Sequence, residues 1–438
     1  EWSRGLGDVY KRQDGRVLQG LILVDRPDQL EFVEIVRRPG QPLDAILRFP
    51  DPASVVERQR LEADARTLLL RRYQEVKHRV RIELWQMKQV PLKKRTIDGV
   101  VYHVYQGRWF SAWSTADEEM TRRSIIRIEQ IVQAYRQLLP PRREGGGFRI
   151  LLFGSMDEYR GYLQRLGLDL QNPAFYSVTH NLIVAGSNLT RYAEQLRQVR
   201  EQNVAILRQY DQEFNPAFDE SLQQRSRELN RRGGNPEEIA LRRAAWLNEY
   251  TDLVRRITET NRRNDAKFAE VTRQMFTRLY HEAFHAYLEN HVYPRLKTSV
   301  PRWLNEGLAQ VFEGGTLDAD TLRIDAPDPV RLRALQQSLR ENPEPLARLL
   351  TEDQVPLSAL HAAEYSEQQY LYAWGLAYYL SFYASLLDPS HLDEYVGEAA
   401  TRLDPITRFE KLVRMPLGEF EPRWRQTMLE LRPPAARR

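Results

Sequence analysis

The sequence predicts an α+β protein, and three observations predict it. Short alternating apolar runs, punctuated by turn residues, occupy the first stretch of the chain. Long runs with helical spacing follow and dominate the rest. The composition, 42% hydrophobic and 28% charged over 438 residues, is that of a folded chain able to bury a sizeable core. Two or three domains are expected at this length.

Taken in order, residues 1–13 begin without Met, and Val9 to Gln13 read like a translated sequencing adapter. This segment is set aside as a non-native leader. A native start lost upstream makes the exported or cell-envelope side the expected location. Arg16–Val24 and Leu30–Val36 are strand-like, with turn residues at Asp25 to Asp28 and Pro39-Gly40, so residues 14–57 form a small, truncated β module. A helix is expected over about 53–75, then strands at Val80–Trp85 and Val100–Tyr105. Thr115–Leu139 is an amphipathic helix with early acids Asp117 and Glu118 suited to its N-terminus. Pro140-Pro141 ends it, and Gly145 to Gly147 lead into the strand Phe148–Phe153.

Ser155 and Glu158 form a capping box. Gly154 to Glu158 share a spacing with the substrate strand of zinc aminopeptidases, but they follow a strand and open a helix. The better substrate strand is Leu182, Ile183, Val184 and Ala185, read as an exposed sheet edge able to pair with an extended peptide. It reads equally well as an ordinary core strand. Residues 58–188 thus make the first part of the main domain.

Residues 189–270 read as a helical hairpin inserted into that domain. Tyr192, Leu196, Val199, Asn203, Ile206 and Tyr210 keep a 4-3-4-3-4 spacing, resumed by Trp246, Tyr250, Leu253 and Ile257. Breaks are expected at Pro216 and Gly233-Gly234, and Asn235-Pro236 restarts a helix. The many Arg and Glu residues make a solvated face or an arm for a protein partner.

The chemistry lies in residues 271–438. His281 and His285 are four apart in a helical pattern running from about Asp265 to Asn290, so both face one side and can grip one ion. Glu282 is placed to take a proton from a water on that ion. Glu306 follows His285 by 21 positions in Trp303-Leu304-Asn305-Glu306-Gly307. That distance lets one helix end and a second return a carboxylate. Two His and one Glu leave a fourth position open, the pattern of a hydrolytic zinc site with one Zn2+. With eight histidines, chance would give such a motif in about one chain in a hundred. Gln310, one turn after Glu306, is a candidate to orient a ligand histidine.

What is missing narrows the choice further. The chain has no cysteine, which excludes disulfides, thiolate zinc sites and cysteine nucleophiles. The charge of +4 comes from 64 basic and 60 acidic residues mixed along the chain, unlike the basic face of a nucleic-acid binder. No apolar run reaches the roughly 18–20 residues needed to span a bilayer.

His281-Glu-x-x-His285 with Trp303-Leu-Asn-Glu306-Gly resembles the gluzincin superfamily of zinc metallopeptidases, especially the aminopeptidase-N-like branch. Tyr372-Ala-Trp-Gly375 resembles its Tyr-x-x-Gly pattern. The layout from about 109 to 431 is most similar to an uncharacterised peptidase-MA-like family of planctomycete-type bacteria. The resemblance implies a zincin-like fold: a small mixed sheet over the zinc helix, followed by a helical C-terminal lobe. It implies His281, His285 and Glu306 as zinc ligands, Glu282 as general base and proton shuttle, and Tyr372 as oxyanion donor, with Tyr365 and Tyr370 as alternates. The implied substrate is a peptide or protein. Endopeptidase action is favoured because no amine-recognition element stands out. The alternatives are a non-catalytic partner-binding protein that keeps the zinc site, and a hydrolase of another amide or ester.

Overall fold

The computed structural model describes residues 8–13, 17–27, 29–36, 44–143, 146–232, 237–294, 298–318, 321–324, 327–351, 367–387, 389–399 and 402–432. It is a mixed α+β structure. Its first part is an antiparallel sheet of β1 (Asp8–Arg12), β2 (Val17–Asp25), β3 (Leu30–Val36), β4 (Asp44–Arg48) and β5 (Val55–Gln59), in the order β4-β3-β2-β1-β5. The helix α1 (Ala63–Gln89) packs on it, with Leu69 and Tyr73 against Leu21 and Val33.

Three sequence expectations change here. Residues 8–12, set aside as leader, form an interior strand. The buried Asp8 carboxylate accepts from the backbone N–H of Ile22 at 2.7 Å and of Leu61 at 2.8 Å, and pairs with Arg66. Discounting β1 also hid its partner β5, so the helix expected over 53–75 starts ten residues later. Val80–Trp85 is helix, not strand. Its alternation mimics a strand, but buried Leu69, Tyr73 and Met87 repeat at helical spacing, and Glu83, one turn before Met87, holds Arg127 at 3.2 Å. The Pro39-Gly40 turn lies outside the described residues.

The main sheet contains β6 (Lys93–Ile97), β7 (Val100–Gln106), β8 (Phe110–Ser114), β9 (Phe148–Phe153), β10 (Ala174–Ser177) and β11 (Leu182–Gly186), in the order β10-β11-β9-β8-β7-β6. The β8–β9 and β9–β11 pairs are parallel and the others antiparallel. The parallel pairs need crossovers, supplied by α2 (Glu118–Leu138) between β8 and β9 and by α3 (Met156–Arg165) between β9 and β10. Ser155 caps α3 as expected, accepting from the Glu158 N–H at 3.2 Å, while the Glu158 carboxylate of the expected capping box accepts from the Thr115 hydroxyl. Leu182 to Ala185 do not form an edge. β11 is bonded on both sides, and the strand nearest the metal motif with a single neighbour is β10. Sequence alone missed this because the short β10, folded back by a tight turn, hides the flank of β11.

The inserted hairpin leaves the sheet after β11. Its outgoing leg is α4 (Leu189–Gln209), a π-helical turn (Tyr210–Phe214) and α5 (Asn215–Arg232). The return leg is α6 (Glu237–Tyr287), a single helix of 51 residues, about 76 Å long at 1.5 Å per residue. Pro216 does not end the outgoing leg. The π-helical turn just before it changes the hydrogen-bond register, with the Asn215 N–H reaching Tyr210 O, and α5 continues through the proline. The Gly233-Gly234 break lies outside the described residues. The seam forms as expected: Tyr210 lies 6.0 Å from Trp246 and from Tyr250, and Asn203 donates to Asn261 at 2.8 Å.

Beyond α6 and a π-helical turn at Leu288–Val292 comes the C-terminal lobe. It comprises α7 (Arg302–Glu313), the hairpin β12 (Thr316–Asp318) and β13 (Thr321–Arg323), α8 (Pro329–Glu341), α9 (Leu346–Thr351), α10 (Glu367–Phe382), α11 (Pro389–Val396), α12 (Pro405–Val413) and α13 (Leu417–Glu430). One continuous core joins α2, the sheet, the end of α6 and this lobe. Among the described residues, no helix is long and apolar enough to cross a membrane.

Candidate metal centre

Two helices meet at the motif. The end of α6 buries Phe276, Leu279, Ala283, Phe284 and Tyr287, and two phenols, one from α2 and one from α6, tie it to the first crossover. Tyr135 Oη donates to Tyr280 O at 2.5 Å, and Tyr287 Oη donates to Leu139 O at 2.7 Å. The second helix, α7, is pressed against α10 at Gly307, where an added Cβ would lie 2.3 Å from Ala373 O. Only glycine permits that approach, which accounts for the Gly after Glu306.

The result brings His281, His285 and Glu306 together as a group that could hold a metal ion, each offering a donor atom within 4.8 Å of the others. His281 Nε2 lies 3.3 Å from Glu306 Oε2, and His285 Nε2 lies 3.6 Å from Glu306 Oε1. A tetrahedral ion with bonds of about 2.1 Å separates its ligand atoms by about 3.4 Å, and the two histidine–carboxylate contacts, each to a different oxygen of Glu306, lie near that distance. The three side chains are 10%, 13% and 17% exposed, leaving one side of the group accessible.

Two outer partners escaped the sequence reading. His285 Nδ1 is 2.9 Å from Asn305 Oδ1. His281 Nδ1 is 3.1 Å from Glu313 Oε1, at ion-pair distance though without hydrogen-bond alignment. Glu313 is sealed beneath the site, its side chain 1% exposed, and also pairs with Arg278 at 3.5 Å and with Arg331. Such contacts fix the ring and raise its basicity. Gln310, the expected orienting residue, instead donates to Glu306 O at 3.3 Å and Tyr370 O at 3.1 Å. Glu313 was legible as the residue seven after Glu306, two turns along the same helix face.

Electrostatics follow from this packing. Burial would push the His281 pKa down, but the Glu306 and Glu313 carboxylates outweigh it and raise it to about 10. Burial would raise Glu306 and Glu313, yet His285 and His281 hold Glu306 at about 2, and His281 with Arg331 and Arg278 hold Glu313 at about 2. Glu282 differs. Burial pushes its carboxyl above the ordinary range, against the pull of His281 and His285, and Glu306 adds to the rise. The backbone N–H of Tyr176 on β10 donates to it, so the edge strand runs past the Glu282 side of the group.

Tyr372 is not brought to the group. Its hydroxyl accepts from the Glu344 N–H at 3.1 Å, and its ring lies 5.5 Å from Trp424 of α13. It is turned about 100° around α10 from Ala373, which faces α7 at Gly307. Tyr370 is three residues before Ala373 on that face, and Tyr365 lies outside the described residues. Ile183, Val184 and Ala185 are buried, and Leu182 is half-buried, within the sheet.

Residues 276–402 match the model of a family described as "Protein of unknown function (DUF1570)". The match takes in His281, Glu282, His285 and Glu306 and leaves out the inserted hairpin's outgoing leg. No curated protein matches the chain.

Proposed function

We propose that the protein is a zinc metallopeptidase of gluzincin type with a zincin-like fold, cleaving internal peptide bonds. The observation that supports this reading most is the convergence of two histidines and one carboxylate at tetrahedral spacing, with a second carboxylate, Glu282, on the turn between the histidines. His281, His285 and Glu306 would hold the ion, Asn305 and Glu313 orienting the two rings. Zinc held there supplies a Lewis acid for the scissile carbonyl and lowers the pKa of a water to about 7.

Glu282 acts as general base. Its raised pKa brings it nearer the working pH, the condition for taking a proton and later giving it to the leaving amine. An extended peptide pairs along β10 rather than β11, because β10, bonded only to β11 among the described strands, is the sheet edge beside Glu282. Tyr372 is left out of this scheme, since it lies about 100° around α10 from Ala373, which meets α7 at Gly307. That placement also favours a second reading, a non-catalytic binding protein that keeps its metal.

One experiment separates the two. Metal content is measured, and wild type and Glu282→Gln are compared on a peptide mixture by mass spectrometry. The expected result is one zinc in both proteins, with cleavage reduced by about a hundredfold or more in the variant. Retained zinc without Glu282-dependent cleavage would sink the peptidase reading in favour of the binding protein.

A further inference from the structure

A groove of about 920 Å³ separates the N-terminal half of α2 from α4, at the upper end of the roughly 300–1,000 Å³ of binding clefts. Its place in the fold ties it to the metal helix. Met120, which lines it, packs with Ala116 against Val271 and Met275 of α6. Those two lie six to ten residues before His281, about 9–15 Å along the helix axis. The groove therefore runs beside the same helix that carries the metal ligands.

Its lining bears on the class of occupant. Met120, Leu196 and Val204 supply an apolar strip, and Val204 is 54% exposed on it. Around the strip stand four arginines and four carboxylates, a net charge of zero. A nucleic acid or an anionic membrane would need an excess of positive charge. A polypeptide segment does not: its apolar side chains suit the strip, and its backbone and mixed charges suit a rim of both signs. The pairs of Arg197 with Glu194 and Glu201 run along α4, and that of Arg123 with Glu119 runs along α2.

We propose that this groove is an exosite that seats an extended, unfolded stretch of a protein substrate upstream of the metal centre. The proposal rests on the metallopeptidase reading for the word substrate, but binding can be tested without turnover. The full chain carrying Glu282→Gln is titrated against fluorescein-labelled, reduced and carboxymethylated α-lactalbumin, followed by anisotropy. Val204→Glu places a charge on the strip at an exposed position. Leu247→Glu, at a residue 54% exposed outside the groove lining, is the control.

Val204→Glu is expected to weaken binding by about tenfold, as a charge forced against apolar surface would, while Leu247→Glu leaves it unchanged. In the active enzyme, KM for the unfolded protein rises with Val204→Glu, and kcat/KM for a short fluorogenic peptide holds. Val204-dependent binding in a protein that cleaves nothing supports the groove and removes only the peptidase reading. Equal binding by the parent and Val204→Glu overturns the groove, even in a cleaving enzyme. Sedimentation showing a dimer that Val204→Glu dissociates, with no binding of the labelled chain, overturns it in favour of a second copy as occupant.

Discussion

The two ends of α6 belong to one helix yet are held by different physics. Toward the hairpin tip Leu241 and Leu247 are 71% and 54% exposed. Pairs such as Arg255–Asp252, Arg263–Glu259 and Arg273–Glu270 run along the surface at 3.0, 3.1 and 2.7 Å, each worth about 0.3–0.5 kcal/mol at most. From Phe276 onward Leu279, Ala283, Phe284 and Tyr287 are fully buried. The family match also begins at Phe276, where the main core takes in the helix. Tertiary packing, not helix propensity, fixes the positions of His281 and His285, whereas the distal half is held mainly by its own surface pairs. Phe284→Ala tests this most severely. Its ring packs against Tyr135 at 5.4 Å and Phe312 at 5.3 Å, tying three helices at the site. The cavity should cost about 3–5 kcal/mol in urea unfolding of the metal-free protein. A loss below about 1 kcal/mol would show that the helix end stands without that packing.

A change beneath the ligands should act on the metal more than on the fold. Glu313→Gln leaves the ligands in place but removes the carboxylate behind His281, and zinc affinity should fall about 10–100-fold in chelator competition. The pH dependence has a definite sign. His281 in the metal-free protein is raised from 6.5 to about 10. Its ion pairing therefore stabilises the fold fully below 6.5 and is lost as pH rises through about 10. Glu313, lowered from 4.5 to about 2, contributes above 4.5 and loses that contribution as pH falls through about 2. An incoming ion must displace the His281 proton, so wild-type affinity rises with pH. Glu313→Gln loosens that proton as well, so its deficit should narrow toward pH 6. A deficit independent of pH would mean that Glu313 does not govern His281.

The same division explains what the sequence disclosed. The pairing of His281 with His285 was legible because spacing on a helix is local: the two share a face whatever surrounds them. The hairpin seam was legible for the same reason, down to Tyr210 against Trp246. Non-local neighbours were not. Leu182 to Ala185 carry no mark that β10 would cover their flank, and Val80 to Trp85 alternate like a strand while lying inside the helix α1. Tyr372 matched a short pattern, but its rotation about α10 is set by Ala373 and Ala377 packing on Gly307, a contact across 66 residues. Asn305 and Glu313 fall between. Their spacing from Glu306 was visible, but the histidine each would meet depended on how α7 docks against α6.

The smallest expected effect completes the contrast. Leu241 is as apolar as Phe284 is buried, yet it faces solvent near the distal start of α6, where truncation leaves no cavity. Leu241→Ala removes little contact, and alanine's helix propensity slightly exceeds leucine's. Its stability change should stay within about 0.5 kcal/mol, and zinc affinity should not move. If Leu241→Ala instead cost more than about 1 kcal/mol under conditions where the protein self-associates, that loss would place Leu241 in a contact between molecules. If it lowered zinc affinity, the two ends of α6 would be coupled through the helix itself, and the distal half would not be free to vary independently of the metal centre.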